Sequence, residues 1–480
     1  MAGLADVSPE EALGAGIAEQ LEELAPTPLE VTGEVPEWLR GGLIRLTPSQ
    51  KTFGDRTVDH WFDGAAMLHR FAITDDGVIY SNRFLDTDFR REAIATGGAS
   101  VQGFATDPCR SLFGRVQSLW RTPPLDNANV NIVRLGDEHI AMTETPMGVS
   151  FDPETLATTG RDPVPLAHGQ TTTAHPCQDP VNGDLLNIST RMGAKTEYRI
   201  LRRTGPAEDE LTILARHPSR EPGYMHSFAV TDRHVLLLEN PLVVQPLKLA
   251  AALTLGAGSF IGQFRWKPEL GLRVHAFDRE SGARVRSWQL PAQFVFHTIN
   301  AYEDAGAIEL DVSAHPDASI IALLGLDNLT SDQPVVAPLP KAVRLTLPLG
   351  AGEATARVLC DDVDLELPRI NHRRCNGRPY RYVYGNAARD AVFIKDIVKI
   401  DVETGEHLLW SEPDAWAGEP VFVARGDTGE EDDGVLLSVV LDGATGTSFL
   451  LVLDAADLSE IARAEAPHRV PFGFHGNFVR

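Results

Sequence analysis

Cysteine is nearly absent: the chain of 480 residues carries four, Cys109, Cys177, Cys360 and Cys375, and no two form a C-x-x-C pair. That excludes a zinc knuckle and a thioredoxin-like motif, and so few unpatterned thiols fit a reducing cytoplasm. Lysine is scarce beside arginine, and positive charge is in deficit, with a formal net charge of −24. Such a balance argues against nucleic acid as a partner and against electrostatic docking on anionic lipid. No apolar run reaches the roughly 18 residues that a membrane-spanning helix requires. The N-terminal stretch is acidic, with neither a basic nor an apolar region, so no secretory signal is expected. HxxxH and HExxH spacings are also missing, as are Ser-His-Asp and paired-carboxylate arrangements.

What is present is turn chemistry. The chain is 43% hydrophobic with 41 Gly and 32 Pro, a composition that suits a turn-rich β protein with a large core. Large all-β folds run past the usual domain-length prior as one unit. Residues 9–24 have helical composition with Ser8 as N-cap, and predict a leader over 1–26. From residue 27 the pattern predicts short strands at 42–46, 77–84, 139–145, 234–239, 307–313, 343–349, 380–384, 434–441 and 447–453. A short unit recurs at Asp152, Asp278 and Asp401, each followed by x-Glu-Ser/Thr, and more weakly at Asp454. Apolar lead-ins precede all four. That repeat predicts the hairpins of a β-propeller formed by residues 27–480 as a single domain.

One apolar segment, 242–264, does not fit a blade; its only charged residue is Lys248. A buried core segment and a membrane-dipping patch extended by residues 110–120 are both open readings.

Four histidines stand next to strand-like runs among apolar or small residues: His175, His226, His297 and His475, spaced 51, 71 and 178 apart. Neutral imidazole is a common ligand of zinc, copper, iron and nickel. A propeller brings the inner ends of its blades to one axis, where ligands scattered in sequence can converge. The four are therefore read as one metal site. Metal-bound imidazoles need a partner for the other ring nitrogen, usually a carboxylate. Glu144, Glu366 and Glu419 lie at apolar strand ends and are candidates, with Glu239 and Glu303 as rivals. Three carboxylates would balance the ion's charge.

Nine motifs resemble the carotenoid cleavage oxygenases, and within them the animal-type β-carotene oxygenase and retinoid isomerase subgroup. They include His60-Trp61-Phe62-Asp63-Gly64, Asp107-Pro108-Cys109, Thr143-Glu144-Thr145, Met225-His226-Ser227-Phe228 and Phe296-His297-Thr298-Ile299-Asn300. Leu365-Glu366-Leu367-Pro368-Arg369, Gly418-Glu419-Pro420, Glu431-Asp432-Asp433-Gly434 and Phe474-His475-Gly476 complete the series. The resemblance implies a seven-bladed β-propeller with a lid of loops and short helices over the top face. It implies a non-haem Fe(II) held by His175, His226, His297 and His475, with Glu144, Glu366 and Glu419 behind them and Glu239 and Glu303 structural. It further implies O2-dependent cleavage of a carotenoid or apocarotenoid, most simply β-carotene at its central bond. The family's membrane-docking patch falls on 110–120 and 242–264, so a cytoplasmic protein with peripheral membrane contact is expected. Other readings are stilbene cleavage, a retinyl-ester isomerohydrolase and, in another class, a lipid-binding propeller without catalysis. The isomerase carries further cysteines where Cys109 stands alone.

Overall fold

A computed structural model describes residues 9–98, 103–107, 125–193, 195–205, 207, 210–255, 258–331, 333, 335, 338–388, 393–426 and 429–480. Seven antiparallel sheets, each of four to six strands, are arranged as the blades of a propeller. The first comprises residues 41–84, the second 131–163, the third 171–218 and the fourth 229–290. The fifth comprises 294–358, the sixth 366–410 and the seventh 415–465. Two distant strands complete the ring. Glu30–Gly33 pairs with Glu460–Glu465 at the outer edge of the seventh blade, and Gly476–Val479 pairs with Gly41–Gln50 at the inner edge of the first.

Each seam between neighbouring blades holds its own apolar cluster. Leu186, Ile188, Tyr198, Met225, Phe228 and Leu237 fill the third seam, and Tyr384, Ile397, Leu436, Leu451 and Leu453 fill the sixth. A middle strand is covered on both faces, as at Thr447–Asp454, where six consecutive residues are buried. Fully burying one such leucine contributes about 1.5–3 kcal/mol. This double burial makes middle strands read as continuous apolar runs, and 77–84 and 234–239 fall where the sequence predicts them. Outer strands alternate, as at Arg284–Leu290, and give a weaker signal.

The recurrent aspartates occupy one structural position. Each lies between the third and fourth strands of its blade, the second, fourth, sixth and seventh. The side chains of Asp152, Asp278 and Asp401 accept from the backbone N–H three residues on, at 2.7, 2.7 and 3.2 Å. Four residues after each aspartate the chain turns left-handed: Gly282 and Gly405 at φ 69° and 77°, Leu156 and Leu458 at 58° and 61°. Glycine has no steric penalty there, whereas leucine is strained.

The N-terminal helix spans Pro9–Ile17, shorter than expected, and Leu13 and Ile17 are buried beside Trp61, Phe472 and Phe474. Ser8, Cys109 and residues 110–120 lie outside the described residues. Within 242–264 the chain forms a short strand at Leu242–Val243 and a helix at Pro246–Leu255. Leu242, Val244, Leu249 and Phe264 are buried in one cluster, while Leu247 is 79% exposed. Among the described residues no helix is long and apolar enough to cross a membrane.

Candidate metal centre

The inner strands of the blades meet at the axis, and each of the seven blades places one functional side chain there. His475 precedes the inner strand of the first blade; His175, His226 and His297 lie at the inner edges of the third, fourth and fifth. Glu144, Glu366 and Glu419 come from the second, sixth and seventh. Local irregularity aims these groups. The pairing of Phe294–Asp304 with Ala307–His315 gains one residue between Val295 and Thr298, and such a bulge redirects the side chains beside it, here His297. Leu367 adopts φ 48° next to Glu366, and its N–H donates to Glu366 Oε2 at 2.7 Å. Gly476 allows the last strand to close in, since a Cβ there would stand 2.5 Å from the carbonyl oxygen of Ile44.

The four imidazoles converge. His175 Nε2 is 3.1 Å from His226 Nε2, and His297 Nε2 is 3.1 Å from His475 Nε2; one donor atom from each of the four lies within 4.8 Å of the other three. Behind them, His226 Nδ1 is 2.6 Å from Glu144, His297 Nδ1 2.7 Å from Glu366 and His475 Nδ1 2.7 Å from Glu419. Among the described residues His175 has no carboxylate partner; the Asn131 side chain approaches its Nδ1 at 3.4 Å. A carboxylate takes the Nδ1 proton as a hydrogen bond and so fixes the tautomer, leaving the Nε2 lone pair free. Lone pairs facing one another at 3.1 Å repel unless a cation lies between them, and two adjacent donors on one ion stand about 3 Å apart. The donor set fits a divalent metal ion.

Protonation states agree. Burial, with the other three rings, pushes His175 well below the usual histidine range, and burial pushes His475 down to about 4 despite Glu419. Burial opposes ionisation of Glu419, but Arg369, His475 and Arg45 outweigh it and hold the carboxyl well below the usual range. The charge balance differs from the sequence expectation. Arg45 and Arg369 bond Glu419 at 2.5 and 2.8 Å, so its charge is already met, and Glu144 and Glu366 are left to face an ion.

Glu239 and Glu303 stand elsewhere. Glu303 pairs with His234 at 2.8 Å, and Glu239 with Arg273 at 3.1 Å. Sequence reasoning passed over His315, whose Nε2 donates to Glu366 at 3.0 Å, and Tyr224, whose hydroxyl donates to Glu144 at 2.6 Å. His315 lies at the end of a strand among small residues, a signal of the same kind as that of the four ligand candidates. Arg45 carried no sequence signal, and Arg369 stood in the Leu365–Arg369 motif without its role being read.

A cavity of about 600 Å³ opens onto the centre. His226, His297, His475, Glu144 and Glu366 reach its wall, which is otherwise mostly apolar and includes Trp61, Phe62, Phe104, Phe296, Phe393 and Phe474. Phe474 meets Trp61 at 4.3 Å and Phe62 at 5.1 Å between ring centroids. Asp63 holds one edge, accepting from the backbone N–H groups of Phe104, Ala105 and Thr106 at 2.5, 3.0 and 2.9 Å. Short helices at Asp88–Ala95, Pro246–Leu255, Ser319–Leu323 and Leu326–Leu329 complete the wall.

Residues 17–480 match the family model described as Retinal pigment epithelial membrane protein. The chain is 33% identical to β,β-carotene 15,15'-dioxygenase of Rattus norvegicus, covering 95% of this chain and 90% of the relative. It is 34% identical to carotenoid isomerooxygenase of Galleria mellonella, covering 95% of both. A solved structure of cobalt-substituted Synechocystis apocarotenoid oxygenase superposes with a TM-score of 0.82 at 26% identity, over 98% of this chain and 99% of that one. With this propeller and its axial histidines, the chain belongs to the carotenoid cleavage oxygenase family and is an oxygenase.

Proposed function

We propose that the protein is a non-haem Fe(II) dioxygenase that cleaves β-carotene at its central double bond to retinal. The observation that carries this reading is the set of four facing Nε2 atoms at the apex of an aromatic cavity. His175, His226, His297 and His475 would hold the iron, with His226, His297 and His475 braced by Glu144, Glu366 and Glu419. When bound, a ferrous ion with four imidazole ligands supplies O2 activation. Both oxygen atoms then end in the two aldehydes, one on each carbon of the broken C=C bond.

The protein's own residues do the rest. A polyene offers no proton to remove and no group to ionise, so binding rests on dispersion and apolar burial. Trp61, Phe62, Phe104 and Phe474 present flat faces and edges that suit a conjugated chain and keep water away. Their placement relative to the histidines selects the bond that reacts. The names of the rat and insect relatives support the substrate class, and the cobalt in the Synechocystis structure supports a metal in this fold.

Incubating iron-loaded protein with O2 and detergent-solubilised β-carotene, with chromatography of the products, tests the proposal. Retinal as the sole product is expected. Off-centre apocarotenals would overturn the regiochemistry, and activity on retinyl esters without O2 uptake would favour an isomerohydrolase.

A further inference from the structure

Among the described residues, one other group of side chains has metal-ligand geometry: His217, Glu239 and His275. We propose that this group, in the seam between the third and fourth blades, is a second divalent-cation site suited to zinc. His217 lies on Leu211–Pro218, the outermost strand of the third blade, and Glu239 and His275 lie on middle strands of the fourth. The register pairs Leu237 with His275 and Glu239 with Arg273, which puts Glu239 and His275 on one face as diagonal neighbours. That face meets His217, whose ring centroid is 4.2 Å from that of His275.

One donor atom from each of the three lies within 4.8 Å of the other two, and all three residues are buried. His275 Nε2 stands 3.4 Å from Glu239 Oε2, the edge of a tetrahedron with bonds of about 2.1 Å. The surrounding groups prepare these atoms. Ser287 Oγ, 2.8 Å from His275 Nδ1, can accept its proton and leave Nε2 as a ligand. Ser219 and Tyr198 donate to Glu239 Oε1 at 2.6 and 3.2 Å, which orients the carboxylate and leaves Oε2 for the site. Oε2 is met by Arg273 Nη2 at 3.1 Å. That side chain is 29% exposed and its Nε has no hydrogen-bond partner, so it can swing into solvent when a cation takes its place. Arg284 and Ser287 are exposed at the same seam, which gives an ion a short route in once Arg284, whose Nη1 lies 3.5 Å from His217 Nδ1, turns outward into solvent. Two imidazoles and a carboxylate are a common zinc ligand set, with a fourth position left for water.

Equilibrium dialysis of the iron-loaded full-length protein against Zn2+, with both metals counted, tests this site. One zinc per chain is expected beyond the iron, and bound zinc raises the melting temperature. His217→Gln should weaken zinc binding at least about tenfold while iron content and β-carotene cleavage stay unchanged. Arg273→Gln removes the competing charge and should tighten binding severalfold; a purely hydrogen-bonded seam would not respond in this way. Zinc that only replaces iron one for one would overturn the proposal. So would an extra zinc unaffected by both His217→Gln and Glu239→Gln. If His217→Gln does not fold, the Arg273→Gln result decides.

Discussion

Buried histidines of two kinds share this molecule. At His60 and His69, away from the axis, both ring nitrogens are consumed by the protein. His60 Nε2 donates to the carbonyl of Ile321 at 2.8 Å while its Nδ1 accepts from Phe62 N at 3.1 Å. His69 is bonded to Thr47 at 2.8 Å and to Tyr80 at 2.7 Å. At the axis, Nδ1 of His226, His297 and His475 is taken by a carboxylate and Nε2 meets another imidazole. Burial is similar in both regions. Convergence separates the two kinds: His139 is also buried with neither ring nitrogen partnered among the described residues, but only at the axis do four donor atoms face one another.

The comparison breaks most completely at the axis itself. His297→Ala should abolish iron binding and product formation together, checked by metal analysis and chromatography on one sample. Next comes Arg45→Met, which leaves the fully buried Glu419 with Arg369 as its one arginine partner, beside His475 and the Gly476 N–H. Removing one partner of a buried pair costs about 3–5 kcal/mol, and a loss near about 3 kcal/mol is expected in urea unfolding because Arg369 remains. Glu366→Gln should weaken iron retention against a chelator about 10- to 100-fold, with the fold intact by circular dichroism. Glu303→Gln, on the rival carboxylate, should leave iron retention unchanged.

A structural histidine should declare itself through pH instead. Burial pushes His60 from 6.5 down to about 4 in the folded state. Between those values the unfolded chain binds the proton and the folded chain does not, so stability rises with pH there. The contribution is complete above the unfolded value and is lost as pH falls from 6.5 towards 4. By about pH 5.5 it costs about 1.3 kcal/mol. His60→Gln should flatten that part of the stability profile, measured by denaturant midpoints.

The sequence carried the centre further than it carried the fold around it. Apolar flanks pointed to the four imidazoles, because the sequence neighbours of an inward-facing group are themselves buried; strand-end carboxylates gave five candidates, and the family motifs set Glu144, Glu366 and Glu419 apart from Glu239 and Glu303. The aspartate repeat pointed to four equivalent hairpins, since that turn depends on local hydrogen bonds. The strands at Leu185–Arg191, Glu197–Arg203 and Leu211–Pro218 were not legible: polar or charged residues interrupt them, and their pairing is set by the blade. The pairing of Arg45 and Arg369 with Glu419 was invisible for a different reason, although Arg369 itself stood in a family motif. They reach Glu419 across 374 and 50 residues of chain, a coincidence of topology that no local pattern encodes.

That six of the seven blades send a group to the hub from their inner part, Glu144 coming instead from the turn between two middle strands, also bears on how the chain can change. Insertions and deletions in the outer hairpins lengthen or shorten the rim without moving any inner strand. A lineage can therefore remodel its outer surface freely while the chemistry at the axis stays in register. A single-residue slip in Phe294–Asp304 or Glu366–Arg369, the inner strands that carry His297 and Glu366, would turn that group away, so evolutionary variation in length should concentrate at the rim.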